Sequence, residues 1–115
     1  MKLGQVKEIL NATVISETPW EEIEISSAFG CDLMSDVLAF VKDQSLLLTG
    51  LVNPQVIRTA EMLDIKAIVF VRGKTPTDEM IDLSKKLNMV IMCTNLPLYI
   101  SSGKLYSAGL AGSEV

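Results

Sequence analysis

The chain has 115 residues, of which 49% are hydrophobic and 21% are charged, and its formal net charge is −4. A domain of this length buries roughly two-thirds of its unfolded surface, so the composition favours one globular domain and excludes intrinsic disorder. The negative charge excludes the basic field that attracts a nucleic-acid backbone, and the absence of histidine removes the commonest general base and metal ligand.

The N-terminal segment mixes Lys, Gly, Gln and Glu with its apolar residues, so it lacks the continuous apolar run of a signal peptide. No stretch approaches the ~18 apolar residues of a membrane span. The two cysteines, Cys31 and Cys93, are far apart and have no Cys or His neighbours at metal-binding spacing. We therefore expect a cytoplasmic protein that uses no metal, cofactor, membrane or nucleic acid.

The first part of the chain predicts one helix and two strands. Apolar residues recur at helical spacing over residues 2–10, and a short strand follows over residues 13–16. Glutamates alternate with isoleucines over residues 22–26, which predicts a half-buried edge strand. Residues 28–32 are predicted to form a loop.

The next helix is predicted from a wide apolar stripe made by Leu33, Met34, Val37, Leu38 and Val41. The width of the stripe indicates a well-buried helix, and Cys31 or Asp32 is expected to cap it.

The remaining elements alternate apolar strands with helices. Strands are predicted over residues 45–48, 67–71 and 90–93, each a continuous apolar run typical of a strand covered on both faces. Helix starts are indicated by Asn53 with Pro54, and by the polar residues 75–78.

The C-terminal part predicts a final helix over residues 98–110, which Gly103 and Gly109 weaken. Residues 111–115 are predicted to be a frayed tail, which leaves residues 2–110 as the domain. Short loops between helices of about ten residues indicate βαβ units, and these require parallel pairing and right-handed crossovers. The predicted fold class is α/β: a three-layer α/β/α single domain with a mostly parallel sheet of about five strands.

Three apolar strands run directly into turns whose residue types suit an anion. Carboxyl ends of parallel strands meet at one edge of a sheet, where open α/β folds bind ligands. Glycine allows close approach of a ligand, a helix start offers N–H groups, and a guanidinium can bind an anion through two hydrogen bonds. The residues predicted to line this site are Thr49, Gly50, Asn53, Arg72, Gly73 and Thr94. The competing interpretation is that they form ordinary turns and helix caps.

Signals for catalysis are weak. Gly73-Lys74-Thr75 resembles the end of a phosphate-binding loop, but Ile68 stands where that motif requires an earlier glycine. Asp32, Asp36 or Cys31 could serve an enzyme only with a paired group that the sequence does not supply. We therefore expect no catalytic residues and no enzyme activity.

Apolar residues outside the predicted core indicate a subunit contact. Phe29, Met34 and the apolar side of the final helix could form it, and a small chain with mean hydropathy of +0.37 often covers apolar surface with a partner. We expect a homodimer.

The order of elements, together with the segments Gly30-Cys31-Asp32-Leu33-Met34, Leu48-Thr49-Gly50, Val71-Arg72-Gly73 and Met92-Cys93-Thr94, resembles a DRTGG domain over residues 2–110. The string that gives the family its name is not present, and Thr49-Gly50-Leu51 only approximates its end. The layout is also similar to the N-terminal domain of HPr kinase/phosphorylase, without the kinase domain.

The resemblance implies a regulatory role, because DRTGG domains accompany CBS domains and occur inside some phosphotransacetylases. It implies a non-catalytic sensor of a small anionic metabolite or nucleotide, with an adenine nucleotide suggested by analogy with CBS pairs. The alternative is a protein-interaction module that docks on a metabolic or redox enzyme, such as an iron hydrogenase, through the faces near Phe29 and the last helix.

Overall fold

Helices and strands alternate along most of the chain, as the sequence predicts. The computed structural model describes residues 1–16, 19–41 and 45–112. Within these ranges the helices are α1 (Leu3–Leu10), α2 (Met34–Phe40), α3 (Pro54–Met62), α4 (Asp78–Lys86) and α5 (Leu98–Ser107). The strands are β1 (Thr13–Val14), β2 (Ser27–Gly30), β3 (Ser45–Thr49), β4 (Ala67–Phe70) and β5 (Val90–Cys93). In the same ranges, no helix combines the length and the apolar character that crossing a bilayer requires.

The described strands form a single sheet in the order β1-β5-β4-β3-β2. Strands β2 to β5 are parallel to their neighbours, and β1 pairs antiparallel with β5. This confirms the predicted mostly parallel sheet. Because β2 to β5 follow one another in space as in sequence, right-handed crossovers place α2, α3 and α4 on one face of the sheet.

Alternate residues along the strands divide the core into two layers. Leu47 and Ile68 are neighbours in the register and pack with the buried residues of α2, α3 and α4. Leu48 and Val69 form the next row and pack with α1 and α5 on the opposite face. The predicted three-layer α/β/α architecture is therefore confirmed, and it explains why these strands show no polar alternation.

Two helix starts are built as predicted. The Asn53 side chain accepts a hydrogen bond from the Gln55 N–H at 2.8 Å, and Pro54 is the first residue of α3. The Thr77 hydroxyl accepts from the Met80 N–H at 3.2 Å and caps α4. Both caps satisfy N–H groups that have no partner within the helix.

The predicted edge strand over residues 22–26 is wrong, because strand β2 lies at Ser27–Gly30, inside the predicted loop. The Ile23 carbonyl accepts from the Leu3 N–H at 2.9 Å, and the Ile25 N–H donates to the Met1 carbonyl at 2.8 Å. The alternation therefore reflects a half-buried segment that pairs with the N-terminus. The sheet position belongs instead to a stretch of weak strand propensity that pairs with the buried β3.

The prediction that α2 is well buried is also wrong. Met34 and Val37 are buried, but Leu33, Leu38 and Phe40 are exposed. The helix has seven residues, and its N-cap residue, Leu33, makes no side-chain capping bond. Neither Cys31 nor Asp32 caps it, and the Asp32 side chain is engaged on β3 and beyond. Only one narrow side of α2 therefore meets the sheet.

The C-terminal residues return to the sheet after α5. The predicted helix over residues 98–110 ends at Ser107, and Gly109 adopts the left-handed conformation with φ of 103°. Within the predicted frayed tail, the Ala111 carbonyl accepts from the Ala28 N–H at 3.0 Å and Gly112 bridges to Ala28. Residues 113–115 of that prediction lie outside the described residues.

Candidate functional site

The carboxyl ends of β2, β3 and β4 meet at one edge of the sheet. Backbone hydrogen bonds continue the ladder past the strand ends: the Cys31 N–H donates to the Leu48 carbonyl and the Val71 N–H to the Thr49 carbonyl, both at 3.0 Å. The residues that follow are therefore held close together. We call Asp32, Thr49, Gly50 and Arg72 the strand-end site.

Asp32 connects the three strand ends. Its Oδ1 accepts from the Gly50 N–H at 2.7 Å and from the Thr49 hydroxyl at 3.0 Å. Its Oδ2 accepts from Arg72 Nη2 at 3.3 Å. The sequence placed Asp32 at a helix cap and missed this role. The usable signal was its position just beyond a strand that neighbours the Thr49-Gly50 turn.

The Arg72 side chain lies directly over Gly50. A Cβ on Gly50 would stand 2.8 Å from Arg72 Cζ and would also collide with Nη2. Real Cβ atoms do not approach other atoms so closely. The guanidinium can therefore occupy this position over residue 50 only because that residue is glycine. Two predicted site residues from different strands are thus brought into contact.

A turn with two successive left-handed residues aims the Arg72 side chain. The φ angles are 60° at Arg72 and 69° at Gly73. The Arg72 N–H donates to the Leu96 carbonyl at 2.9 Å and the Gly73 N–H donates to the Thr94 carbonyl at 3.0 Å. A left-handed conformation at a non-glycine residue costs about 1–2 kcal/mol, which these two bonds help to offset.

The ion pair between Arg72 and Asp32 is half-exposed and geometrically weak. The side chains are 49% and 46% exposed, and one nitrogen–oxygen contact joins them. Exposed pairs of this kind contribute about 0–1 kcal/mol to stability. A guanidinium carries several N–H donors, and in the described part of the chain Asp32 is the acceptor for its side chain. About half of the Arg72 side chain is exposed to water.

The two predicted threonines already use their hydroxyl groups within the protein. Thr49 is fully buried, donates to Asp32 and accepts from the Leu51 N–H at 3.2 Å. Thr94 is 3% exposed, donates to the Leu10 carbonyl at 2.8 Å and accepts from the Leu96 N–H at 3.3 Å. Thr49 therefore orients Asp32, while Thr94 joins the sheet edge to the end of α1.

Asn53 and Gly73 lie at the margin of the site. The Asn53 side-chain oxygen is taken by the Gln55 N–H and its carbonyl by the Val56 N–H at 3.0 Å. The start of α3 thus satisfies much of its own hydrogen bonding and offers fewer N–H groups than the sequence suggested. Gly73 lies near Asn95, whose Oδ1 would stand 3.3 Å from a Cβ there.

The other candidate chemistry finds little support in the geometry. Lys74 closes a tight turn onto the Val71 carbonyl, and α4 begins only after Thr77, so Thr75 is not at a helix start. Cys31 and Cys93 are both free thiols, and burial raises the pKa of the Cys93 thiol. Across the residues described, no three Cys, Asp or Glu side chains are grouped as a metal site would require.

Comparison with known proteins identifies a solved structure with a similar fold. No protein-family model matches the sequence, and no curated protein matches it. Among solved structures, the chain is similar to the CBS and DRTGG domains of the regulatory region of a Clostridium perfringens pyrophosphatase, complexed with its activator diadenosine tetraphosphate. The TM-score is 0.71 at 16% identity, and the match covers 90% of this chain and 45% of the other.

This similarity confirms the DRTGG resemblance at the level of the fold. The chain has a DRTGG-like α/β fold, and it spans less than half the length of the pyrophosphatase regulatory chain.

Proposed function

We propose that the chain is a non-catalytic regulatory domain that binds a small anionic metabolite or nucleotide at the strand-end site. The observation that carries the proposal is the placement of Arg72: its guanidinium is held over Gly50 and beside Asp32 while half of the side chain faces water. A positioned guanidinium with unused donors at the carboxyl edge of a parallel sheet suits phosphate or carboxylate groups.

The neighbouring charges set the strength of this interaction. Lys74 is exposed two residues beyond Arg72 and adds positive charge, whereas Asp32 neutralises part of the guanidinium charge. Asp32 therefore has two opposing effects, since it fixes Arg72 in place and competes with an incoming anion. This balance favours a ligand of moderate affinity, as reversible sensing requires.

An adenine nucleotide is the finer form of the proposal. The similar pyrophosphatase region carries diadenosine tetraphosphate, described there as an activator, and its regulatory character supports the same role here. We expect the phosphates of the ligand to contact Arg72 and Lys74, with Gly50 and Gly73 leaving room for them.

The test is a titration of the labelled protein with ATP, diadenosine tetraphosphate and inorganic phosphate, followed by amide NMR shifts and calorimetry. We expect saturable shifts at Gly50, Arg72 and Gly73. Arg72→Gln should weaken binding at least about tenfold, the scale of one lost charged hydrogen-bond pair. The matched control is Arg58→Gln, which removes the same charge from the exposed surface of α3.

Two results would contradict the proposal. One is the absence of saturable shifts with every probe, and the other is equal loss of affinity in the Arg72 and Arg58 variants. Equal loss would mean that net charge, rather than a built site, attracts the anion.

A second candidate function is docking on a metabolic or redox enzyme, and the exposed side of α2 favours it. Phe29, named by the sequence for this role, packs against the core on the α2 side, but Leu33, Leu38 and Phe40 nearby are exposed. Leu38→Glu should then reduce binding to the partner enzyme, and Met62→Glu, at a more exposed position on α3, should not. Equal binding by both variants would remove α2 from the interface.

A further inference from the structure

The outer face of α5 is apolar where a solvent-facing helix is normally charged. Ser101 and Leu105 are its buried residues, and Tyr99, Gly103 and Ser107, spaced four apart, form the ridge on the opposite side. Lys104 is the single charged residue among the ten of this helix. By contrast, α4 carries five charged residues in nine, Asp78, Glu79, Asp82, Lys85 and Lys86.

Large side chains on this face are strongly exposed. Tyr99 is 85% exposed, Tyr106 is 73% exposed and Ile100 is 42% exposed. Tyr99 and Ile100 border an open groove of about 570 Å³, which is also lined by Ile9 of α1 and by Gly103, Lys104, Ser107 and Ala108. Clustered exposed aromatic residues next to a groove are typical of an interaction surface.

The presence of glycine at position 103, inside a helix, is not explained by any contact within one copy of the chain. Glycine inside a helix costs about 1 kcal/mol relative to alanine. A Cβ at Gly103 would have no atom within 4 Å, and the residue does not have a positive φ. Neither packing nor backbone conformation therefore requires glycine here. Close approach of another helix backbone would require it.

We infer that α5 packs against α5 of a second copy of this chain, with Gly103 at the point where the two helices cross. A two-fold interface needs a surface that complements itself. The α5 face meets this condition, because Tyr99 projects from the same ridge on which Gly103 leaves a recess. Each copy therefore supplies both a knob and a hole.

Charge also selects a second copy as the occupant. Each chain has a net charge of −4, so two copies repel unless they meet through a neutral surface. The α5 ridge, from Tyr99 through Gly103 to Ser107, is uncharged. A strongly charged partner would find no opposing charge on this ridge and a single one, Lys104, in the groove beside it.

Sedimentation equilibrium over a wide range of concentration tests the inference, with Gly103→Gln and Gly103→Ala as the main variants. In a monomer both substitutions would stabilise the helix, because nothing obstructs the new side chain. In the inferred dimer, Gly103→Gln should raise the dissociation constant at least about tenfold, and Gly103→Ala should raise it less. Since neither substitution destabilises the helix, a raised dissociation constant reports the loss of the contact between the two α5 helices.

Tyr99→Ser is a second probe that leaves the helix backbone unchanged, and it should also weaken the dimer. Met62→Ser is its control, since Met62 is a similarly exposed residue on the other face of the sheet. Circular dichroism confirms that each variant is folded. A wild-type chain that stays monomeric at every concentration overturns the inference. A dimer that tolerates Gly103→Gln, or that responds to Met62→Ser instead, overturns it as well.

Discussion

The strand-end site and the outer face of α5 differ in how much of their surface chemistry the folded chain already uses. At the strand-end site, Asp32, Thr49 and Gly50 are joined by hydrogen bonds, and the Arg72 side chain bonds to Asp32 while about half of it stays exposed. On the α5 face, Tyr99 and Gly103 make no comparable contribution to one copy of the fold. At the strand-end site, the groups that could bind a ligand are those left over after hydrogen bonding within the chain. On the outer face of α5, the exposed side chains make little contribution to the fold of one copy.

This comparison predicts different responses to mutation. Substitutions within the strand-end site should alter the stability of the isolated chain, whereas replacements of the exposed tyrosines on the α5 face should alter association alone.

The largest expected effect is that of Asp32→Ala. It leaves the Gly50 N–H, the buried Thr49 hydroxyl and Arg72 without their shared acceptor. We expect the free energy of unfolding to fall by about 2 kcal/mol, measured by urea denaturation. Asp32→Asn is the control: it keeps an oxygen acceptor, loses less stability, and should bind inorganic phosphate more tightly because the competing charge is gone. Equal stability of the alanine variant and wild type would show that the network does not support the fold.

Thr94→Val is expected to have the next largest effect. The substitution preserves shape but removes the buried hydrogen bond to the Leu10 carbonyl, so the free energy of unfolding should fall by about 1–2 kcal/mol. Ligand affinity should not change, since the Thr94 hydroxyl is turned into the protein. Thr13→Val, at an exposed position of β1, is the matched control. A loss of ligand affinity without a fall in the free energy of unfolding would show that Thr94 contacts the ligand.

Gly50→Ala separates the position of Arg72 from its charge. The new methyl group displaces the guanidinium, which is the flexible end of a side chain, so we expect a loss of stability of about 1 kcal/mol or less. Affinity for an anion should nevertheless fall as far as in Arg72→Gln. Gly112→Ala is the control, since a Cβ there meets no atom within 4 Å. Wild-type affinity in Gly50→Ala would mean that anion binding does not require the Arg72 guanidinium to lie over Gly50.

Tyr106→Ser should have the smallest effect on the isolated chain. Tyr106 is exposed, so at concentrations where the chain is monomeric the free energy of unfolding should change by less than about 0.5 kcal/mol. A larger loss under those conditions would show that the α5 face supports the monomer and would remove the contrast with the strand-end site.

The sequence predicted the layers and the parallel strands well because these depend on patterns within single segments. Runs such as residues 67–70 are apolar throughout, and this alone indicates a strand covered on both faces. Strand β2 was misplaced because Ser27 to Gly30 has little intrinsic preference, and its pairing with β3 decides its structure. The alternation at Ile23 and Ile25 correctly predicted a half-buried segment, but this segment pairs with the N-terminal residues and not with a strand of the sheet.

The candidate site was predicted in part for a similar reason. Gly50 and Arg72 could be brought together by the rule that parallel strands end at one edge, and the structure places them in contact. The role of Asp32 depends on three bonds to residues distant in sequence, and the left-handed turn at Arg72 depends on carbonyls from the segment after β5. Neither leaves a local pattern.

The pairing of Ala111 and Gly112 with Ala28 affects how copies of this domain can meet. An open sheet edge can recruit a strand from another molecule and so begin aggregation. Here the amide of Ala28 on the outer edge strand is already bonded to the chain's own C-terminal segment, and the opposite edge strand, β1, is two residues long. Both margins are thus poor templates for strand addition, which protects a hydrophobic five-stranded sheet from edge-to-edge polymerisation.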